Sequence, residues 1–259
     1  MKTVILCGGM GTRLREETEF RPKSMVEIGG RPILWHIMKG YASHGLNDFI
    51  LCLGYRADVI KSYFFNYHLL NQDFTIRLGS PDRVSFHGNH LEHDWNITLA
   101  DTGIDALTGA RVKRIQPYIT EDTFMLTYGD GVADVDIRKL LDFHRAHGKI
   151  GTVTGVRPPS RFGELQLESD QVVQFSEKPQ VSSGFINGGF FVFNKGFFNY
   201  VSEDDTCALE GAPLEQLARD GELKVYTHTG FWQCMDTSRD LKRLRELWES
   251  GQPQWKVWR

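Results

Sequence analysis

The chain has 259 residues and a formal net charge of −3, which places it at the upper edge of what one hydrophobic core supports. That charge argues against a nucleic-acid-coating surface, which would be strongly basic, so no nucleic-acid partner is expected. No apolar run approaches the roughly 20 residues of a membrane span, so no membrane partner is expected either. Cys7, Cys52, Cys207 and Cys234 form no CxxC pair, which leaves zinc and redox motifs unsupported and points to a reducing cytoplasm.

In chain order, "MKTVILCGG" opens with an apolar run too short for a signal-peptide core and reads as a buried strand over Thr3–Cys7. Similar β-branched or aromatic runs predict strands at Asp48–Leu53, Phe124–Tyr128 and Ile150–Val156. Between them, "RPILWHIMKGYASHG" sets Ile33, Leu34, Ile37, Met38 and Tyr41 on one helical face, with Pro32 suited to the first turn. "RADVIKSYFFNYHLL" and "DIRKLLDFHRAHG" repeat that period, and the second ends in Gly148 as a C-cap would. Such alternation predicts an α/β fold, a Rossmann-like, mixed but mostly parallel central sheet flanked by helices.

After about residue 160, "FGELQLES", "QVVQFSEK" and "NGGFFVFN" follow too closely for helical crossovers, which predicts antiparallel hairpins on or beside the sheet. A helix at Ala212–Arg219, a strand "ELKVYTH", the run "GFWQCMD" and a charged helix "SRDLKRLRELWE" complete the chain. Nothing linker-like divides it, so one domain is expected over 1–259, with a C-terminal helix and tail over 238–259 that pack on it or on a neighbour. Asn71–Trp95 fits neither period and is expected to be an irregular excursion, an interface arm or a lid. Asp134 and Asp136 are expected to cap the helix that follows them.

"GGMGTR" begins where the first strand should end, and in open α/β sheets ligands gather outside the carboxyl ends of strands. The dinucleotide fingerprint fails, because its third glycine would fall at Leu14, and no Gly-Lys-Ser/Thr follows to make a P-loop. Bare backbone at Gly8, Gly9 and Gly11 can instead close on the base and triphosphate of an NTP. Arg13 and Lys23 then supply charge, the first as a fork across phosphate oxygens and the second as a compact point.

The order "GGMGTRL…RPKSMVEIGGRPILWH" resembles the signature of the sugar-1-phosphate nucleotidylyltransferase family, which couples an NTP to a sugar 1-phosphate. "LADTG…TGARVKRI", "TYGDGVAD", "RFGELQL", "EKP", "INGGFFVFN" and "GFWQCMDTSRD" extend the likeness over essentially the whole chain and resemble the branch that uses CTP and glucose 1-phosphate. The resemblance implies the nucleotide-diphospho-sugar transferase fold. It also implies formation of CDP-glucose and pyrophosphate, a homo-oligomer (hexamer or tetramer) and a place in deoxysugar synthesis for bacterial surface polysaccharides such as O-antigen.

Residue by residue, it implies a nucleotide held along Leu6, Cys7, Gly8, Gly9, Met10, Gly11, Thr12, Arg13 and Lys23, with Thr102, Gly103, Arg111 and Gly129 completing that side. It gives Glu177, Lys178, Asn187 and Gly188 to the sugar phosphate, and Arg13, Lys23 and Lys178 to catalysis. Direct attack of a sugar phosphate on an NTP joins two anions, so a Mg²⁺ ion is expected. Asp130, a strand-end carboxylate between two glycines, is one expected ligand, and Asp236, closing "GFWQCMD", is the second.

The chain departs from most relatives at Ser24, Arg31 and Cys7. It carries Leu14-Arg15-Glu16-Glu17-Thr18 where UTP- and dTTP-using relatives read Leu-x-Pro-x-Thr, which favours the cytidylyl branch. UTP or dTTP specificity is the alternative within the same chemistry. A metal-dependent glycosyltransferase is another, and it would show Asp-x-Asp where this chain has "YGDG".

Overall fold

The computed structural model describes residues 1–79, 84–88, 90–158, 164–168, 171–176 and 184–258. Seven strands build the main sheet: β1 (Lys2–Leu6), β2 (Asp48–Leu53), β3 (Asn96–Asp101), β4 (Thr123–Tyr128), β5 (Gly151–Val156), β6 (Ile186–Asn194) and β7 (Leu223–His228). Their spatial order is β7-β5-β6-β4-β1-β2-β3. Every neighbouring pair is parallel except those made by β6, which runs antiparallel to both β4 and β5. This is the mostly parallel mixed sheet expected from the sequence.

The inner strands of the sheet are buried on both faces, which explains why they read as apolar runs rather than alternating ones. The outer strands β3 and β7 are largely part-exposed. Ile5, Phe49, Leu51, Met125 and Val192 pack into one core, while Val4, Ile50, Leu126, Phe191 and Phe193 pack into the other. Helices α1 (Ile33–Ala42), α2 (Ala57–Phe65), α3 (Tyr67–Asn71), α4 (Thr108–Arg114), α5 (Ile137–His147), α6 (Ala212–Arg219) and α7 (Ser238–Glu249) surround it. Gly148 ends α5 in the left-handed region, with φ 66°, as its C-cap. The single helix expected over "RADVIKSYFFNYHLL" breaks between α2 and α3. Asn66 stands at the break, and its amide donates to the Ser62 carbonyl at 2.9 Å.

Four expectations need correction. Pro32 precedes α1 at the N-cap position instead of lying in its first turn. Asp136 caps α5 by accepting from the Lys139 amide, but Asp134 does not; it sits 2.9 Å from His228. The stretch Asn71–Trp95 is not irregular throughout, because Asp73–Ile76 pairs antiparallel with Val84–His87. "FGELQLES" and "QVVQFSEK" do form a hairpin, Glu164–Glu168 against Gln171–Ser176, but it is a two-stranded unit separate from the main sheet.

The C-terminal tail folds back on its own chain. Trp255 is 1% exposed and its indole N–H donates to His36 Nδ1 at 3.4 Å, beside Trp248.

Candidate active site

The loops that leave β1, β2, β3 and β4 are stitched together by backbone hydrogen bonds. Cys7 N donates to Cys52 O at 3.0 Å, Tyr55 N to Gly8 O at 3.1 Å, Thr102 N to Leu53 O at 3.0 Å and Gly129 N to Leu6 O at 3.0 Å. A cavity of about 390 Å³ opens at these carboxyl ends, where the parallel topology predicts a ligand. Leu6, Cys7, Gly8, Gly9, Gly11, Thr12 and Arg13 line it from the first loop, and Lys23, Arg111, Gly129, Asp130 and Asp236 line it from elsewhere in the chain.

Two glycines owe their place to geometry. Gly11 holds φ +62°, a conformation that side-chain-bearing residues rarely adopt. A Cβ on Gly129 would come 2.7 Å from the Leu6 carbonyl oxygen, so only glycine lets β1 and β4 approach as they do. That close approach carries Asp130 into the cavity.

Asp130 and Asp236 converge on one point, although 106 residues separate them. Lys23 Nζ lies 2.6 Å from Asp130 Oδ2 and also donates to Asp236 Oδ1. The convergence has a backbone cause. Gly131–Ala133 pairs antiparallel with Trp232–Cys234, and Met235 N donates to the Asp130 carbonyl at 2.8 Å. Thr237 then caps α7 in a capping box with Asp240, whose carboxylate also accepts from the Asp236 amide at 3.2 Å. A ribbon and a helix start thus fix the two carboxylates from opposite sides.

The electrostatics follow from this meeting. Burial acts to lower the Lys23 pKa, but Asp130 and Asp236 outweigh it and the ammonium is held above its ordinary value. Burial acts to raise Asp236, yet the Lys23 hydrogen bond and charge, with Arg13 3.7 Å away, hold its carboxyl below the usual range. Cys7 is different, since burial pushes its thiol up to about 12 and leaves it a small hydrophobe.

Arg111 is only 4% exposed, and its donors are committed. It donates to the carbonyls of Leu53 (2.9 Å), Gly103 (2.7 Å), Gly8 (3.2 Å) and Ile104 (3.3 Å) and to the Thr102 hydroxyl (2.9 Å). It therefore ties three loops into one wall. Thr102 and Gly103 support that wall through Arg111 and are not among the residues lining the cavity, and neither is half-exposed Met10.

Asn187 donates at 3.1 Å to Oη of Tyr128, which lines the cavity, and the Gly188 carbonyl accepts from Trp232 Nε1 at 2.7 Å. Neither Asn187 nor Gly188 is itself among the lining residues. Glu177 and Lys178 lie outside the described residues. Ser24, Ala106, Leu107, Thr108 and Tyr128 also line the cavity and were not singled out from sequence. Ala106–Thr108 fall between "DTG" and Arg111, two segments already assigned to that side, and this bracketing was the available signal.

The carboxylate pair suits a magnesium ion. Both groups aim at a point that already takes a positive charge, the Lys23 ammonium. Among the described residues no cluster of three or more His, Cys, Asp or Glu side chains is arranged to hold a metal. Two carboxylates with substrate phosphates and waters are the ligand set that magnesium prefers. Among the described residues, no helix is long and apolar enough to cross a membrane.

Residues 2–244 match the model of the family described as Nucleotidyl transferase. Over 259 residues, all of both chains, the sequence is 52% identical to glucose-1-phosphate cytidylyltransferase of Salmonella typhi and equally so to that of Salmonella typhimurium. Among solved structures, the inositol-1-phosphate CTP transferase from T. maritima superposes with a TM-score of 0.63 at 15% identity. That match covers 99% of this chain and 96% of that one, and it speaks for the fold.

Proposed function

The chain belongs to the nucleotidyl transferase family, and from that premise we propose that it moves a cytidylyl group from CTP to α-D-glucose 1-phosphate, giving CDP-glucose and pyrophosphate. The observation that carries this reading is the meeting of Asp130, Asp236 and Lys23 in a cavity walled by the first glycine loop. Full-length identity of 52% to cytidylyltransferases supports CTP and glucose 1-phosphate as the substrate pair.

In the reaction, a phosphate oxygen of the sugar attacks the α-phosphorus in line, and the bond to pyrophosphate breaks as the new one forms. No covalent enzyme intermediate is needed. Lys23, free to turn from the carboxylates to the α-phosphate, offsets the charge gathering there. Arg13, whose side chain is 77% exposed, is available to fold over the departing pyrophosphate. Lys178 is assigned to aligning the sugar phosphate. Asp130 and Asp236 would hold a magnesium ion, which would supply positive charge against the phosphates when bound.

The assay that tests this offers purified protein glucose 1-phosphate with CTP, UTP, dTTP or GTP and follows pyrophosphate. CTP should be the strongly preferred donor, whereas equal or better turnover with UTP or dTTP would move the chain to a sister specificity. The exposed apolar residues Phe65, Leu70, Leu78 and Leu91 on and beside α2, α3 and the Asp73–His87 hairpin support a homo-oligomer formed through that face. Four free thiols support a reducing, cytoplasmic setting. The family resemblance alone supports delivery of the product to deoxysugar synthesis for surface polysaccharides.

A further inference from the structure

We propose that Glu210 is a positioning residue that sets the polarity of a hydroxyl-reading edge, formed by Tyr128 and Asn187, on the acceptor side of the cavity; this rests on the reading of the chain as a hexose 1-phosphate transferase.

Glu210 is exposed, but it is not loosely held. The loop before α6 docks on the start of α4, where the Gly109 and Ala110 amides donate to the Cys207 carbonyl at 2.9 and 3.1 Å. The Thr108 hydroxyl accepts from Leu209 N at 2.9 Å and donates to Glu210 Oε2 at 2.6 Å. The other carboxylate oxygen, Oε1, accepts from Tyr128 Oη at 2.5 Å. Glu210 therefore bridges Thr108 and Tyr128, two residues that line the cavity from different segments of the chain.

Hydrogen-bond inventory shows what the bridge does. A phenol has one proton and two lone pairs, and a carboxylate oxygen accepts, so the Tyr128 O–H is spent donating to Glu210. One Tyr128 lone pair receives the Asn187 amide at 3.1 Å, leaving one free. The Gly189 amide donates to Asn187 Oδ1 at 2.8 Å and fixes the amide's orientation, and with one Nδ2 hydrogen on Tyr128 the other is free. The edge consequently presents one acceptor and one donor side by side, which is what a sugar hydroxyl matches. Without the carboxylate the phenol proton could turn into the cavity and the acceptor would be lost. The charge fits this division of labour: among the described residues no cation forms an ion pair with Glu210, and an uncompensated carboxylate disfavours a phosphate but accommodates an uncharged polyol. The phosphates belong instead beside Lys23 and Arg13.

The experiment compares wild type, Glu210→Ala, Tyr128→Phe and the double variant on glucose 1-phosphate and its four monodeoxy analogues, with CTP as donor. Wild type should lose about tenfold or more in kcat/KM on one analogue, because a site built for a hydroxyl rejects its absence. Glu210→Ala should flatten that discrimination and raise KM for glucose 1-phosphate about tenfold, while KM for CTP stays within about twofold. The double variant should match Tyr128→Phe alone, since both act through one phenol. Discrimination that survives in Glu210→Ala, or KM values for both substrates rising together, overturns the assignment. No product from wild type overturns it together with the proposed reaction, whereas product with unaltered discrimination overturns Glu210's role alone.

Discussion

The proposed reaction gives Lys23 the central role, and its surroundings make a sharp prediction. Its ammonium, 15% exposed at the side chain, is drawn by two carboxylates at one point of the cavity, and the side chain belongs to neither apolar core. Lys23→Ala should therefore fold normally by circular dichroism yet lower turnover about a hundredfold, the usual loss when a transition-state donor is removed. Near-normal turnover would remove Lys23 from the mechanism. That Arg13, Lys23 and Asp130 belong to one cavity was legible in sequence. Glycines flank Asp130 at a strand end, and the two cations follow the glycine loop of the first strand. The partnership of Asp130 with Asp236 was not, except through resemblance, since a two-stranded ribbon distant in sequence creates it. Arg111 shows the reverse. Its place on the nucleotide side was expected from resemblance, but five acceptors around one guanidinium arise only when three loops meet. Asp134 read as a cap because it stands near a helix start, and a residue on β7 took it instead.

At the scale of elements, α5 is joined to the sheet by a directional chain of hydrogen bonds. The Lys149 amide donates to His147 Nδ1 at 2.9 Å, so His147 Nε2 carries the proton and donates to Thr152 Oγ1 at 2.7 Å. Thr152 passes its own proton to His144 Nδ1 at 2.8 Å, and His144 Nε2 donates to Asn194 Oδ1 at 3.0 Å. The two links in which a ring nitrogen accepts, at His147 Nδ1 and His144 Nδ1, require those imidazoles to be neutral. Burial lowers the pKa of both, and burial also holds His36, under the tryptophans of the tail, at about 4. The sign follows directly. The unfolded chain binds protons near pH 6.5 that the folded chain refuses, so this stability is complete above 6.5 and is lost as pH falls towards the depressed values. Thermal melts from pH 7.5 to pH 5 should show Tm falling, and His144→Gln/His147→Gln should flatten that fall. An unchanged slope would show that the chain of bonds does not govern it. The strands and helices of this region were legible because both sheet faces are buried and α5 is amphipathic. The Asp73–Ile76 and Val84–His87 strands were not, because every residue in them is exposed and neither face leaves a pattern.

For the molecule as a whole, the exposed apolar side chains around the end of α2 and the hairpin that follows are the feature that a lone chain does not explain. Phe65 is 88% and Leu78 86% exposed, at one end of α2 and in the hairpin that the sequence left undivided. If that face joins copies of the chain, Phe65→Asp with Leu78→Glu should lower the mass measured by light scattering to that of one 29.6 kDa protomer while the fold persists. A mass that does not change would put the interface elsewhere. Sequence could name the main sheet and the end of it that holds a ligand, since topology alone dictates that end. It could not divide the walls between nucleotide and sugar, because that division depends on which side chains spend their hydrogen bonds on each other.

Calorimetric titration of CTP into the protein, with and without magnesium, tests the central claim most directly. Wild type should bind CTP tightly only when magnesium is present, and Asp130→Asn with Asp236→Asn should abolish the difference while leaving the melting curve intact. Binding that ignores magnesium in wild type, or no binding of any nucleoside triphosphate, would contradict the account.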